Sequence, residues 1–136
     1  MILVHLASMV SFVVVTLAVQ GASHFALNKE HYKGISYLRP DPIIPLGLST
    51  AAIQGLVMSV ALVAWRGTEP VLTDGLWVSA AFGVVLASYI GMAEPSKYTV
   101  PDVGKWMRVE LSASFVQFAV WGLLLGIIHT TLGGSI

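Results

Sequence analysis

Four long apolar runs divide the chain, and short polar stretches separate them. The runs extend from about Ile2 to Ala26, Ile43 to Trp65, Gly75 to Ala93 and Met107 to His129. A helix crossing a bilayer needs roughly 20 apolar residues, which each run approaches or exceeds. None alternates apolar and polar positions as a barrel strand does. In hydrocarbon the backbone must bond within its own segment, so the pattern predicts helices. The expected fold is all-α: one domain over residues 1–136, a polytopic, antiparallel bundle of four transmembrane helices.

The connections differ in character. Leu27 to Pro42 is longer and polar, Arg66 to Asp74 is a short link, and Glu94 to Trp106 opens on Glu94-Pro95. Prolines at these points end or restart helices. The first run reads as a retained span and not as a cleaved secretory signal, because nothing basic precedes it and no A-x-A-like site follows.

Composition agrees with the pattern. Only 10% of the 136 residues are charged, against about 25% in soluble domains. The mean hydropathy is +0.82. Seven basic and seven acidic residues cancel, and no basic run is present, so nucleic acid is not an expected partner. With no cysteine there is no disulfide, thiolate metal site or iron–sulfur ligation.

Charge also predicts orientation. Lys29, Lys33, Arg39, Lys97, Lys105 and Arg108 lie in or beside the first and third connections, and only Arg66 in the second. The positive-inside rule then places the first and third connections in the cytoplasm and both termini on the non-cytoplasmic side. Trp65, Trp77, Trp106, Tyr32, Tyr37 and Tyr98 fall near the expected interfaces.

Small residues recur every four positions: Gly47, Ala51, Gly55 and Ser59 in the second span, and Gly75, Ser79, Gly83, Ala87 and Gly91 in the third. Residues four apart share a helix face, and a small face lets two backbones approach closely. The expectation is a tight antiparallel pair of spans two and three along these faces. Gly122 and Gly126 form a shorter version in span four.

Polar residues inside spans are costly, so candidate chemistry is sought there. Gln20 and His24 lie four apart on span one, Gln54 sits near the middle of span two, and Glu110, Ser114 and Gln117 share a face of span four. If the polar faces turn inward, Gln20, His24, Glu110 and Gln117 form one ligand-binding pocket open to the cytoplasm; the plainer alternative is an interhelical hydrogen-bond network. Glu94 would end span three on the unfavourable side of the helix dipole and so calls for a cation, Arg39, Lys97 or Arg108. Those three cations are also candidates for contacting an anion or lipid headgroup.

No metal site is expected, and the cofactor is open. Haem would need two facing imidazoles, which His5 and His129 supply only if spans one and four are neighbours. No C-x-x-C-H, G-x-S-x-G, P-loop, G-x-G-x-x-G or H-E-x-x-H motif occurs, so no catalytic residue is specified.

The stretch Ala93-Glu94-Pro95-Ser96-Lys97-Tyr98-Thr99-Val100-Pro101-Asp102-Val103-Gly104-Lys105-Trp106, with Glu110, Gln117, Gly122 and His129, resembles small uncharacterised bacterial four-helix membrane proteins. Arg39-Pro40-Asp41-Pro42-Ile43 carries the same resemblance. It implies the fold and a bacterial inner membrane, and no activity or site residue.

Three functions fit these observations. The first is an accessory or scaffolding subunit of a larger membrane complex, packed against other chains. The second is a small oligomeric transporter or ligand-binding protein using Gln20, His24, Glu110 and Gln117. The third is a redox protein binding haem or quinone.

Overall fold

The structure, a computed structural model, describes residues 1–133. Its helices are α1 (Ile2–Leu27), the short α2 (Lys29–Lys33), α3 (Ile44–Arg66), α4 (Leu72–Lys97) and α5 (Val103–Leu132). No strand occurs among the described residues. Helices α1, α3, α4 and α5 are long and apolar enough to cross a membrane, which marks an integral membrane protein. One end of the bundle holds the start of α1 and the end of α5. The other end, the loop end, holds α2 and the α4–α5 connection.

The small-residue faces pack, but not on each other. A Cβ at Gly75 would collide with the backbone of Gly122 and Gly126, and one at Gly126 with the carbonyl of Leu72. Phe118 lies over Gly83 and Leu111 over Gly91, and the Ser79 hydroxyl donates to the Phe118 carbonyl at 2.6 Å. The ladder of α4 therefore faces α5. The ladder of α3 faces α1, with Gly55 against Phe12, Met9 and Ser8. The expected α3–α4 pair is thus overturned, and these two helices touch only slightly. The reason is complementarity: each small face receives either a bulky side chain or another small face, as Gly55 receives Phe12 and Gly75 meets Gly122. Gly47 is exposed with open space around it and joins neither contact, and Ala87 lines an outer groove.

Phe12, Met58, Leu62, Trp121 and Leu125 fill the bundle centre and are fully buried. Phe12 and Trp121 pack with ring centroids 5.1 Å apart, and the Trp121 indole N–H points at Met58 Sδ, 3.3 Å away.

Two helices change pitch toward the loop end. In α1 the turn Ser23–Leu27 is a π turn, closed by the Asn28 amide donating to the Ser23 carbonyl at 2.8 Å. In α4 the turn Tyr89–Ala93 is another, and the helix then runs through Glu94-Pro95 to Lys97. The expected end of span three at Glu94 is corrected accordingly. A proline ring clashes with the carbonyl four residues back and offers no N–H. The wider π turn relieves the clash. In that register the amide of residue 95 would take the Ile90 carbonyl; the Trp106 indole N–H takes it instead, at 2.9 Å.

Candidate functional site

Helices α1 and α5 run antiparallel and carry most of the buried polar side chains between them. On α5, Glu110, Gln117 and His129 are all buried and recur near multiples of the helical repeat. On α1 they meet residues in reverse order, so the polar groups form a seam along the bundle.

At mid-depth, Gln20 Nε2 donates to Gln117 Oε1 at 2.7 Å, and Gln117 Nε2 donates to Thr16 Oγ1 at 2.9 Å. One turn toward the loop end, His24 Nδ1 lies 2.9 Å from the Gln20 carbonyl. A carbonyl only accepts, so Nδ1 carries hydrogen and a neutral ring keeps its lone pair on Nε2. The His24 ring stacks on Tyr32, with centroids 3.8 Å apart and planes 13° from parallel. The Tyr32 hydroxyl donates to Glu110 Oε1 at 2.5 Å. The structure therefore brings Gln20, His24, Glu110 and Gln117 into one connected group, with Tyr32 as the link between His24 and Glu110.

Tyr32 was legible only as an interfacial aromatic. Its signal is local: Tyr32 and Ile35, three apart among Lys29, Glu30, Lys33 and Gly34, are both buried. They form the apolar side of a short segment that closes the loop end of the seam. Trp106 stands behind them, 3% exposed, with Tyr37 and His31 rings about 6 Å away, at 6.2 and 6.1 Å. Burial and the bond to Glu110 push the Tyr32 hydroxyl pKa well above its ordinary value. Burial, helped by Lys105, lowers that of His31, and burial, helped by Glu94, raises that of Tyr37. His31 Nε2 and Tyr37 Oη are buried without a hydrogen-bond partner.

Glu94 has no cation partner among the described residues, where the ion pairs are Lys33–Glu30 and Arg66–Asp74, both at 2.8 Å. The helix continues past Glu94, so it does not sit at a helix C-terminus and the reason for a cation there lapses. Arg39, Lys97 and Arg108 are exposed and engaged separately: Arg39 Nε approaches the Asp41 carbonyl at 3.5 Å, and Lys97 Nζ lies 5.1 Å over the Tyr89 ring. A shallow polar pocket instead gathers Lys29, His31 and Lys105.

At the opposite end, spans one and four are neighbours and His5 meets His129, with ring centroids 6.3 Å apart. The Ser59 hydroxyl lies between them, 2.8 Å from His5 Nδ1 and 2.8 Å from His129 Nε2. That hydroxyl occupies the place a shared haem iron would need, and Phe12, Met58 and Trp121 fill the adjacent interior. No cluster of three or more metal-ligating side chains occurs among the described residues. Comparison with family models, curated proteins and solved structures gives no match for this chain.

Proposed function

We propose that this membrane protein binds a small cationic or proton-donating solute in the loop-end half of the seam, at Glu110, with Gln20, His24 and Gln117 completing the site. One observation carries the reading. Glu110 is 4% exposed inside an apolar bundle, and its bonded partner is a neutral hydroxyl. Holding helices together does not require a carboxyl group, and an ionisable group at such depth is expensive. The Gln20–Gln117 bond shows what a packing contact needs: two amides. Tyr32 occupies the position a ligand donor would take, so binding requires the segment around α2 to swing out. The unpartnered His31 Nε2 and Tyr37 Oη then become available to the incoming solute.

By the positive-inside rule, the loop end with its six Lys and Arg faces the cytoplasm and the termini face outward. The resemblance noted above puts the protein in a bacterial inner membrane. Four helices enclose little volume for a transport path, so a homodimer completes it. The test is titration of the reconstituted protein with sodium, potassium, ammonium and methylammonium while Trp106 fluorescence is recorded. A saturable change for one of them, absent in Glu110→Gln, supports the reading; no response to any of the four, at any pH where the bundle is folded, sinks it.

A second reading, an accessory subunit, has its own observation. A groove of about 700 Å³ runs between α4 and α5 on the outside of the bundle, lined by Trp77, Ala80, Gly83, Ala87 and Phe115. Its small residues suit a transmembrane helix of another chain. The mass of the intact particle extracted in mild detergent decides: other chains in fixed ratio favour this reading, and one or two copies of this chain alone favour the first.

A further inference from the structure

The terminal end of the seam holds a second protonatable group, separate from Glu110 and not dependent on the reading above. His129 is 2% exposed, and Ser8 and Ser59 are fully buried beside it. His129 Nε2 lies 2.8 Å from Ser59 Oγ and 3.4 Å from Ser8 Oγ. On the far side of Ser59, His5 Nδ1 lies 2.8 Å from the same oxygen. His5, unlike His129, is only half-buried, at the start of α1. Three helices thus place imidazole, hydroxyl and imidazole in a row from the bundle surface inward.

We propose that His5, Ser59 and His129 form a proton relay that loads a proton from the solution at the terminal end onto the buried His129 imidazole. A hydroxyl has one hydrogen and can donate it to one ring while accepting from the other. In the resting arrangement His5 carries hydrogen on Nδ1 and points it at Ser59 Oγ, whose own hydrogen points at His129 Nε2. A solvent proton adds to His5 Nε2. The Nδ1 hydrogen passes to Ser59 Oγ as the hydroxyl hydrogen passes to His129 Nε2. His5 returns to neutrality as the other tautomer, Ser59 is again a neutral hydroxyl, and His129 holds the added proton. Release reverses the steps, and no other reactant is needed.

The surroundings suit this direction of entry. Arg66 and Asp74, at the same end on α3 and α4, are bonded to each other at 2.8 Å. Glu69 lies in the exposed α3–α4 link, and the chain amino group at Met1 is exposed. The side chains touching His129 are therefore the uncharged Ser8 and Ser59, with His5 beyond them. Toward the bundle centre, Phe12, Trp121 and Leu125 form an apolar plug that stops the row from continuing to Thr16 and Gln117.

The test is solid-state nuclear magnetic resonance on the full chain, ¹⁵N-labelled at histidine, in lipid bilayers. Solvent exchange of the His129 ring hydrogen is followed across a pH series. In the wild type the hydrogen exchanges readily, because the relay reaches His5. In Ser59→Ala the exchange slows by about tenfold or more, the size expected for one lost hydrogen-bonded step. Ser59→Thr, which keeps the hydroxyl, restores it, and His5→Gln slows it with Ser59 intact. Exchange at the wild-type rate in both Ser59→Ala and His5→Gln overturns the proposal, as does a His129 that never takes up a proton while the bundle is folded. If Ser59→Ala does not fold, His5→Gln decides the question alone.

Discussion

The Tyr32 hydroxyl donates to Glu110 Oε1 at 2.5 Å, joining the segment after α1 to the buried face of α5 across 78 positions of sequence. Removing either partner has a different cost. Tyr32→Phe leaves the carboxyl without this donor, and a hydrogen bond to a charged group is worth about 1.5–3 kcal/mol. Glu110→Gln keeps an acceptor for Tyr32 and should cost about 1 kcal/mol, the scale of a neutral hydrogen bond. Reversible unfolding in mixed micelles gives both values. A larger loss in Glu110→Gln would show that the carboxyl is held by something other than Tyr32.

Gln20 and Gln117 should be energetically coupled. A double-mutant cycle with Gln20→Leu and Gln117→Leu should return an interaction of about 0.6–1.7 kcal/mol, the range for interhelical hydrogen bonds in membranes. Zero coupling would mean the two amides bond elsewhere in the bilayer.

The α4–α5 contact should not tolerate a methyl group. Gly75→Ala and Gly126→Ala place a Cβ into opposing backbone, which cannot rotate away. Overpacking of this kind costs about 1–3 kcal/mol or more. Gly47→Ala meets open space and should be neutral or stabilising by up to about 1 kcal/mol, the helix preference for alanine over glycine. Unfolding midpoints of the three variants give the comparison.

Acid should loosen the loop end through His31. Burial of the imidazole is the main cause of its lowered pKa; Lys105 and His24 act in the same direction, and Glu110 and Asp102 oppose it. The unfolded chain therefore takes up a proton before the folded one does. Stability from this group is complete above the ordinary value of 6.5 and is lost as pH falls through the lowered one. His31→Gln should flatten that part of the pH–stability curve. Identical acid dependence in the variant and the parent would assign the effect to another group.

The four spans were legible because hydropathy reports the bilayer directly. Their ends were not, because helices outrun the hydrocarbon. Helix α5 begins at Val103 and not near Met107, since Asp102 Oδ1 caps the Lys105 amide at 2.8 Å in water. The cap was present in the sequence and was masked there by Lys105 and Arg108. The periodicity of glycine and serine located the small faces but not what they face, because a partner is chosen by shape across the whole bundle. Gln20, His24, Glu110 and Gln117 were legible as a group because an antiparallel pair keeps step: Ser8 and Gln20 on α1 meet His129 and Gln117 on α5, twelve positions apart on each helix. Tyr32 lay beyond that rule, because α1 changes pitch before reaching it.

That change of pitch bears on how the gene can vary in length. The π turn Ser23–Leu27 holds one residue more than an ordinary turn. Deleting a single codon there would regularise the helix and rotate everything beyond it by about 100°, the angle between successive residues. Tyr32 would swing off Glu110 while every residue of the bundle core stayed in place. The same deletion beside Gly91 would turn the Ile90 carbonyl away from Trp106. The interior is thus forgiving of substitution and these two turns are intolerant of insertion or deletion, so chain length across them should be fixed wherever the seam is kept.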